Sequence, residues 1–369
     1  MRLVYFTHSL ASCWNNGNAH FLRGLLRELV ARGHEAVAFE PRSGWSLDNL
    51  LADHGPDSLA EFNSAYPELK PFGYDAGIDL EACTADADVV IVHEWNEPWL
   101  VSRLGRLRAH GARFILLFHD THHRAVSEPA AIASFDLDGY DGVLAFGEAL
   151  AAVYRRRGWG RDAHVWHEAA DTRLFRPPES EVVREGLVWV GNWGDDERSE
   201  EIIGYLLRPA ARTGLTLDVY GVRYPDDALA SLQAHGARYR GWLPNAQVPY
   251  VFARHTATVH VPRRLYVNRL PGIPTIRVFE ALACGIPLVS APWDDAEDLF
   301  RMGEDFLLAR SPAEMERHLT ALKHDPALCQ TIAAKGLETI RTRHTCKHRV
   351  EELLSIIDRI RARPAEVAA

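Results

Sequence analysis

The sequence is short of the features that mark most specialised proteins. Five cysteines, Cys13, Cys83, Cys284, Cys329 and Cys346, are scattered through 369 residues with no CxxC pair. That spacing excludes a disulfide framework and a zinc site, and the five read as reduced thiols. No apolar run is long enough to span a membrane or to form a signal peptide, and the chain opens at once on a strand-like run, Leu3 to Phe6, so a cytoplasmic protein is expected. Positive charge is in deficit. The formal net charge of −9 argues against nucleic acid as the main partner. The loop after the first strand, Trp14-Asn15-Asn16-Gly17-Asn18, lacks the GxGxxG fingerprint, which removes the best support for a dinucleotide cofactor. There is no short-period repeat.

What is present is ordinary in bulk and uneven in detail. Hydrophobic content of 47% and charged content of 25% fit a folded globular protein, and 369 residues are too many for one core, so two domains are expected. Residues 51 to 100 hold eleven Asp and Glu against the single Lys70. Arg103, Arg106, Arg108 and Arg113, then Arg155, Arg156, Arg157 and Arg161 beside Trp159, form two basic runs. These read as solvated helix faces or as contacts to an anionic acceptor or the periphery of an anionic membrane.

The order of apolar runs is that of a βα protein. A strand at 2–7, an amphipathic helix with Phe21, Leu22, Leu25, Leu26 and Leu29, a stop at Gly33 and a strand at Ala36 to Phe39 make a βαβ opening. Residues 42 to 85 read as irregular or as short helices, and their aromatics Trp45, Phe62, Tyr66, Phe72 and Tyr74 either pack or line an acceptor pocket. Buried parallel strands are expected at Val89 to Val92, Phe114 to Phe118 and Gly142 to Phe146. Polar clusters follow them, including His93-Glu94-Trp95 and His119-Asp120-Thr121-His122-His123, at the carboxyl ends where open α/β sheets bind ligands. The His-rich cluster also offers metal ligands, but no metal site is assigned, and the acidic runs 195–197 and 294–295 read as solvated turns. After HEAADTRLFRPP, at 167–178, a second βα series begins with Leu187 to Val190, Thr216 to Tyr220, Arg238 to Gly241 and Thr258 to Val261. Helices fill Pro312 to Thr342, and a last helix runs from Val350 to Ile360.

The stretch GIPTIRVFEALACGIPLVS, 272–290, organises the second half. A loop with Gly272 and Pro274 delivers a helix start, a natural anion site through its unpaired N–H groups and dipole, yet Arg277 sits in the first turn where the dipole disfavours a cation. Glu280 falls on the apolar face of that helix. Its spacing allows either a structural ion pair with Arg277 or another arginine, or a ligand-binding carboxylate.

Taken together, FHDTHHRA at 118–125, HEAADTRLFRP at 167–177, VWVGNWGDDER at 188–198, YRGWLP at 239–244 and RVFEALACGIPLVS at 277–290 resemble the GT-B glycosyltransferases. GEDFLLARSPAEM and RHTCKHRVEELL add to the likeness, which is to the family 4 group and its CgeB-like, or spore-maturation-like, branch. The resemblance implies an α/β protein of GT-B architecture, two Rossmann-like domains facing across a cleft: an acceptor domain at 1–170, a linker at 171–184, a nucleotide-sugar domain at 185–345, and a C-terminal helix, 346–369, packing back on the first domain. It implies a nucleoside diphosphate sugar as donor substrate, an acceptor left unidentified, no cofactor, no metal, and transfer with retention of anomeric configuration. Glu280 would bind the ribose hydroxyls, and backbone N–H groups at Gly272 and Ile273 the diphosphate. Trp242 and Leu243 would flank the base, Gly191 and Asn192 would close on the phosphates, and Arg263, Arg264 and Arg277 would serve the donor pocket. Arg198 is the nearest substitute for a lysine that often follows the Gly191 position. His119 matches a histidine near the transferred sugar, with Asp120 a base or a fixer of that histidine and Glu94 a second candidate. Each of these three has a plain alternative as a structural hydrogen bond at a strand end.

One departure stands out. Family 4 enzymes often carry a second acid eight residues before Glu280, and that position is Gly272. Its absence keeps open a non-catalytic nucleotide-sugar-binding protein, and an epimerase or hydrolase on the same fold is a rival enzyme reading.

Overall fold

A computed structural model describes residues 1–363; the end of the expected C-terminal segment, 364–369, lies outside the described residues. The first sheet has seven parallel strands, β1 (Arg2–Phe6), β2 (Glu35–Pro41), β3 (Phe72–Tyr74), β4 (Val89–His93), β5 (Ile115–Asp120), β6 (Gly142–Ala145) and β7 (Ala163–Val165). Their spatial order is β3-β2-β1-β4-β5-β6-β7. The second sheet comprises β8 (Leu187–Val190), β9 (Leu217–Tyr220), β10 (Arg238–Gly241), β11 (Ala257–His260), β12 (Leu288–Ser290) and β13 (Leu307–Leu308), ordered β10-β9-β8-β11-β12-β13 and again parallel. Strands such as β4, with sequence VVIVH, are apolar on both faces because helices cover both sides of a parallel sheet, and every residue of β4 is buried.

The chain departs from the sequence reading in four places, each with a local cause. β3 and β7 are edge strands of three residues, too short to show a period. β5 continues through His119 and Asp120, because β6 extends far enough for Leu144 and Ala145 to pair with them. The helix that starts at Ser199 passes through a π turn at Ile203–Leu207. Pro209 follows it after Arg208, and a residue without an N–H cannot continue the regular ladder.

The segment between the sheets is pinned by the C-terminal helix Cys346–Arg361. The Ala170 N–H donates to the His344 carbonyl, the Cys346 N–H donates to the Ala170 carbonyl, and the Trp166 indole donates to the Arg349 carbonyl at 2.9 Å. This helix lies on the helix Asn18–Ala31 of the first domain, where a Cβ at Gly24 would meet Asp171 and Cys346 at 2.5 and 2.6 Å. Of the two basic runs, Arg103, Arg106 and Arg108 lie on the helix Pro98–Ala109, with Arg108 paired to Asp141. Arg155, Arg156 and Arg157 lie in the last turn of the helix Glu148–Arg157. Among the described residues no helix is long and apolar enough to cross a membrane.

Candidate active site

The carboxyl ends of both sheets face one cleft of about 690 Å³. The first domain contributes the loops after β1 and β5 and the start of the helix Asn18–Ala31. The second contributes the loops after β8, β9 and β11 and the start of the helix Ile276–Ala283. This is where a parallel sheet places ligands, because strand ends and helix N-termini converge there.

Three arginines shape the second-domain wall. Arg198 is 8% exposed, donates to the Val261 carbonyl and to the carbonyl and side chain of Asn192 at 2.9 Å, and lies over the Trp189 ring. Burial pulls its guanidinium down to about 9, with Arg263 adding to the effect. Arg263 donates to Glu197 at 2.6 Å and reaches Asn192 at 3.3 Å. Arg277 bonds Glu280 within the first turn of its helix. Glu280 itself is 1% exposed and takes His20 at 2.9 Å and Asn245 at 3.1 Å as further donors. Burial alone would raise this carboxyl, but Arg277, His20 and Asn245 outweigh it and hold it below its ordinary value. Arg277 thus has the compensating anion that its place on the dipole called for, and the ion pair foreseen as one alternative is present.

Arg198, Arg263, Arg277, Gly191, Asn192, Trp242 and Leu243 all line the cleft, with Glu280 directly behind Arg277. Three expected donor residues do not. The Gly272 N–H is spent on the Asp294 carbonyl, 2.8 Å away. Ile273 is buried in the first domain's core against Gly147, so the turn at 272–273 serves domain packing, and the helix start at the cleft is made by Thr275, Ile276 and Arg277. Arg264 heads the short helix Arg264–Asn268 and pins the carbonyls of Asp196 and Glu197 and the carboxylate of Glu201.

The expected catalytic trio lies one layer below the floor. His119, Asp120 and Glu94 are each fully buried, because β5 and the turn after β4 hold them in or under the sheet. His119 bonds the Tyr5 hydroxyl and is packed among Phe21, His93 and Trp166, and burial lowers its imidazole to about 3. Direct contact between His119 and a substrate is therefore corrected. Asp120 accepts from the Tyr154 hydroxyl at 2.6 Å and from the His122 N–H at 2.9 Å, which makes it a fixer of the next loop; burial raises its carboxyl to about 6. Glu94 holds Arg124 at 2.7 Å, and burial, followed by the nearby Asp120, pushes its carboxyl well up. The groups that do reach the cleft from this motif are Thr121, His122 and His123. Of the five aromatics in 42–85, Trp45 reaches the cleft, Phe62, Tyr66 and Tyr74 are buried, and Phe72 is an exposed edge residue. Among the described residues no group of three or more His, Cys, Asp or Glu side chains could hold a metal ion.

Several contacts cross the cleft. Asn192 donates to Asn15 at 2.5 Å, His20 bonds Glu280, and His123 lies 3.5 Å from Glu197. Sequence reading missed His20, because a histidine on an amphipathic helix looks like core. It also missed Glu168, a 6% exposed residue of the linker motif that lines the cleft near the Ile276 N–H. Burial, then Glu280, raises the Glu168 carboxyl to about 8. Cys13 lines the cleft too: burial would raise its thiol, yet His20, Arg23 and the Asn245 backbone bring it to about 7.

A family model described as Glycosyltransferase Family 4 matches residues 15–174, and one described as Glycosyl transferase-like matches residues 198–355. Among solved structures, sucrose-phosphate synthase from Thermosynechococcus elongatus is similar with a TM-score of 0.65 at 14% identity, over 98% of this chain and 99% of that one. Anabaena HepE, solved with UDP and glucose, gives 0.63 at 15% identity over 97% of this chain and 100% of its own. An alpha-glucosyltransferase bound to UDP and a 13-mer DNA gives 0.68 at 11%, over 97% and 99%. At such identities the likeness is one of fold. No curated protein matches by sequence. With one glycosyltransferase family model matching each domain and a two-domain plan shared end to end with these structures, the chain has the GT-B fold and resembles glycosyltransferases over both of its domains.

Proposed function

We propose that the chain transfers a hexosyl group from a nucleoside diphosphate sugar to a hydroxyl acceptor, with retention and without a metal. The observation that carries this is the wall of Arg198, Arg263 and Arg277 around the start of the helix Ile276–Ala283, facing the strand ends of the first domain. Guanidinium groups and a helix N-terminus suit a diphosphate, and they stabilise the charge that grows on it as the glycosidic bond breaks. Uridine is the base we assign, since HepE and the alpha-glucosyltransferase were solved with UDP. Trp242, whose ring lies 4.7 Å from that of His54 in the first domain, and Leu243 line the cleft, and in this reading they flank the base.

Retention follows from the family resemblance, and two of the four carboxylates that line the cleft are engaged by arginines. Glu197 is held by Arg263, and Asp195 by Arg223, so neither is free to serve as a base. The departing diphosphate then assists the acceptor hydroxyl on the same face. Sugar contacts fall to Thr121, His122 and His123, with Asp120 holding their loop. The motifs quoted above favour the CgeB-like branch, and five free cysteines suit the reducing cytoplasm.

Isothermal titration with UDP tests the donor half. Arg263→Ala and Arg277→Ala should each weaken binding by roughly tenfold or more, since a charge-assisted bond contributes about 1.5–3 kcal/mol. Wild-type affinity in both variants would remove the arginine wall from the proposal.

A further inference from the structure

Two of the chain's exposed large aromatics stand in this cleft, Trp45 at 47% and Trp95 at 44% exposure. Both are fixed from behind. The Trp14 ring meets Trp45 edge-on at 5.0 Å, and Arg223 of the second domain lies 5.5 Å from it. Arg124 lies 4.3 Å from the Trp95 ring and is itself anchored by the buried Glu94, while His122 packs on the same indole at 5.2 Å. Between them sits His8, with ring centroids 6.5 Å from Trp45 and 6.1 Å from Trp95. The topology explains the arrangement. His8 follows β1, Trp45 follows β2 and Trp95 follows β4, the two strands that flank β1, so the three meet where the strand order reverses.

An indole held in place yet left half-exposed is an unfinished contact, and two such indoles around one imidazole form a site with apolar faces and a polar centre. Among the described residues the His8 imidazole has no hydrogen-bond partner, and burial lowers it to about 4, so at neutral pH it is an uncharged group able to give or take one bond. A sugar ring has the matching chemistry, with a C–H face for an indole and hydroxyls at its rim.

We propose that Trp45, His8 and Trp95 form the acceptor subsite and that the acceptor is a carbohydrate, its ring faces stacked on the indoles and a hydroxyl bonded to His8. This rests on the glycosyltransferase reading above and deepens it by naming the acceptor class.

The test is saturation-transfer NMR on the full chain, with and without saturating UDP, using methyl α-D-glucopyranoside, maltose and phenol as probes. Expected is transfer to the sugar C–H protons, reduced at least fivefold in Trp45→Ala and in Trp95→Ala and retained in Trp95→Phe, with UDP affinity changed less than twofold. His8→Ala should weaken the sugar signal while leaving phenol unaffected. No transfer to either sugar, transfer to phenol alone, or sugar signals untouched in both alanine variants would each overturn the proposal. The UDP titration keeps the two readings apart: a protein that binds the sugars but not UDP loses its donor assignment and keeps this subsite, and the reverse result does the opposite. Thermal melts of each variant separate a lost site from a lost fold.

Discussion

Glu168 shows what a single residue contributes to the cleft's response to pH. Its carboxyl titrates near 8 in the folded protein, raised first by burial and then by Glu280, against an ordinary value of 4.5. The folded state therefore keeps a proton that the unfolded state has already released, and stability falls as pH rises from about 4.5 to about 8. Glu168→Gln removes that dependence. Melting curves from pH 5 to 8.5 should show the variant gaining on the wild type towards the alkaline end, by on the order of 3 kcal/mol at the limit. A constant difference across the range would refute the assignment. Residues of this kind are hard to read from sequence. HEAAD looks like any polar linker, and only the fold sets its glutamate against a helix start and a second carboxylate. His119 failed in the opposite direction, since HDTHH does not reveal that two of its five residues belong to the strand and three to the loop.

Whole elements were more legible. The helix Ile276–Ala283 and the strands β1, β4, β8 and β11 carry strong apolar patterns and lie within a residue or two of where the sequence puts them. The edge strands β3 and β7 and the π turn were not legible, because three residues have no period and the effect of Pro209 depends on the helix it interrupts. Gly272 is the instructive case. The sequence shows a glycine in place of an acid, and the structure supplies the reason: its φ is +86°, and a Cβ there would lie 3.2 Å from the Glu297 side chain. Glu297 in turn bonds the Glu148 N–H and His167 of the first domain at 2.9 and 3.0 Å. The turn at Gly272 is thus committed to joining the domains. Gly272→Ala should cost about 1–2 kcal/mol in urea denaturation, from a left-handed φ and a crowded Cβ together; a loss under about 0.3 kcal/mol would mean that the turn adapts freely.

At the scale of the molecule, two βα domains present their strand ends to each other, and this plan follows from the sequence because it needs only the alternation of apolar strands and amphipathic helices. The closeness of the two faces does not follow from it. Asn15–Asn192, His20–Glu280 and His123–Glu197 join residues 177, 260 and 74 positions apart along the chain, separations that no local pattern encodes. These bonds engage several of the groups that a nucleotide would need. If they must break before a nucleotide enters, its capture is limited by a unimolecular opening step. Stopped-flow mixing with UDP should give an observed rate that levels off as UDP is raised, with an apparent second-order constant below the usual 10⁵–10⁷ M⁻¹s⁻¹ or so. His20→Ala, which removes one of these contacts, should lift the plateau, and a rate that climbs linearly in both proteins would show that no such step limits entry.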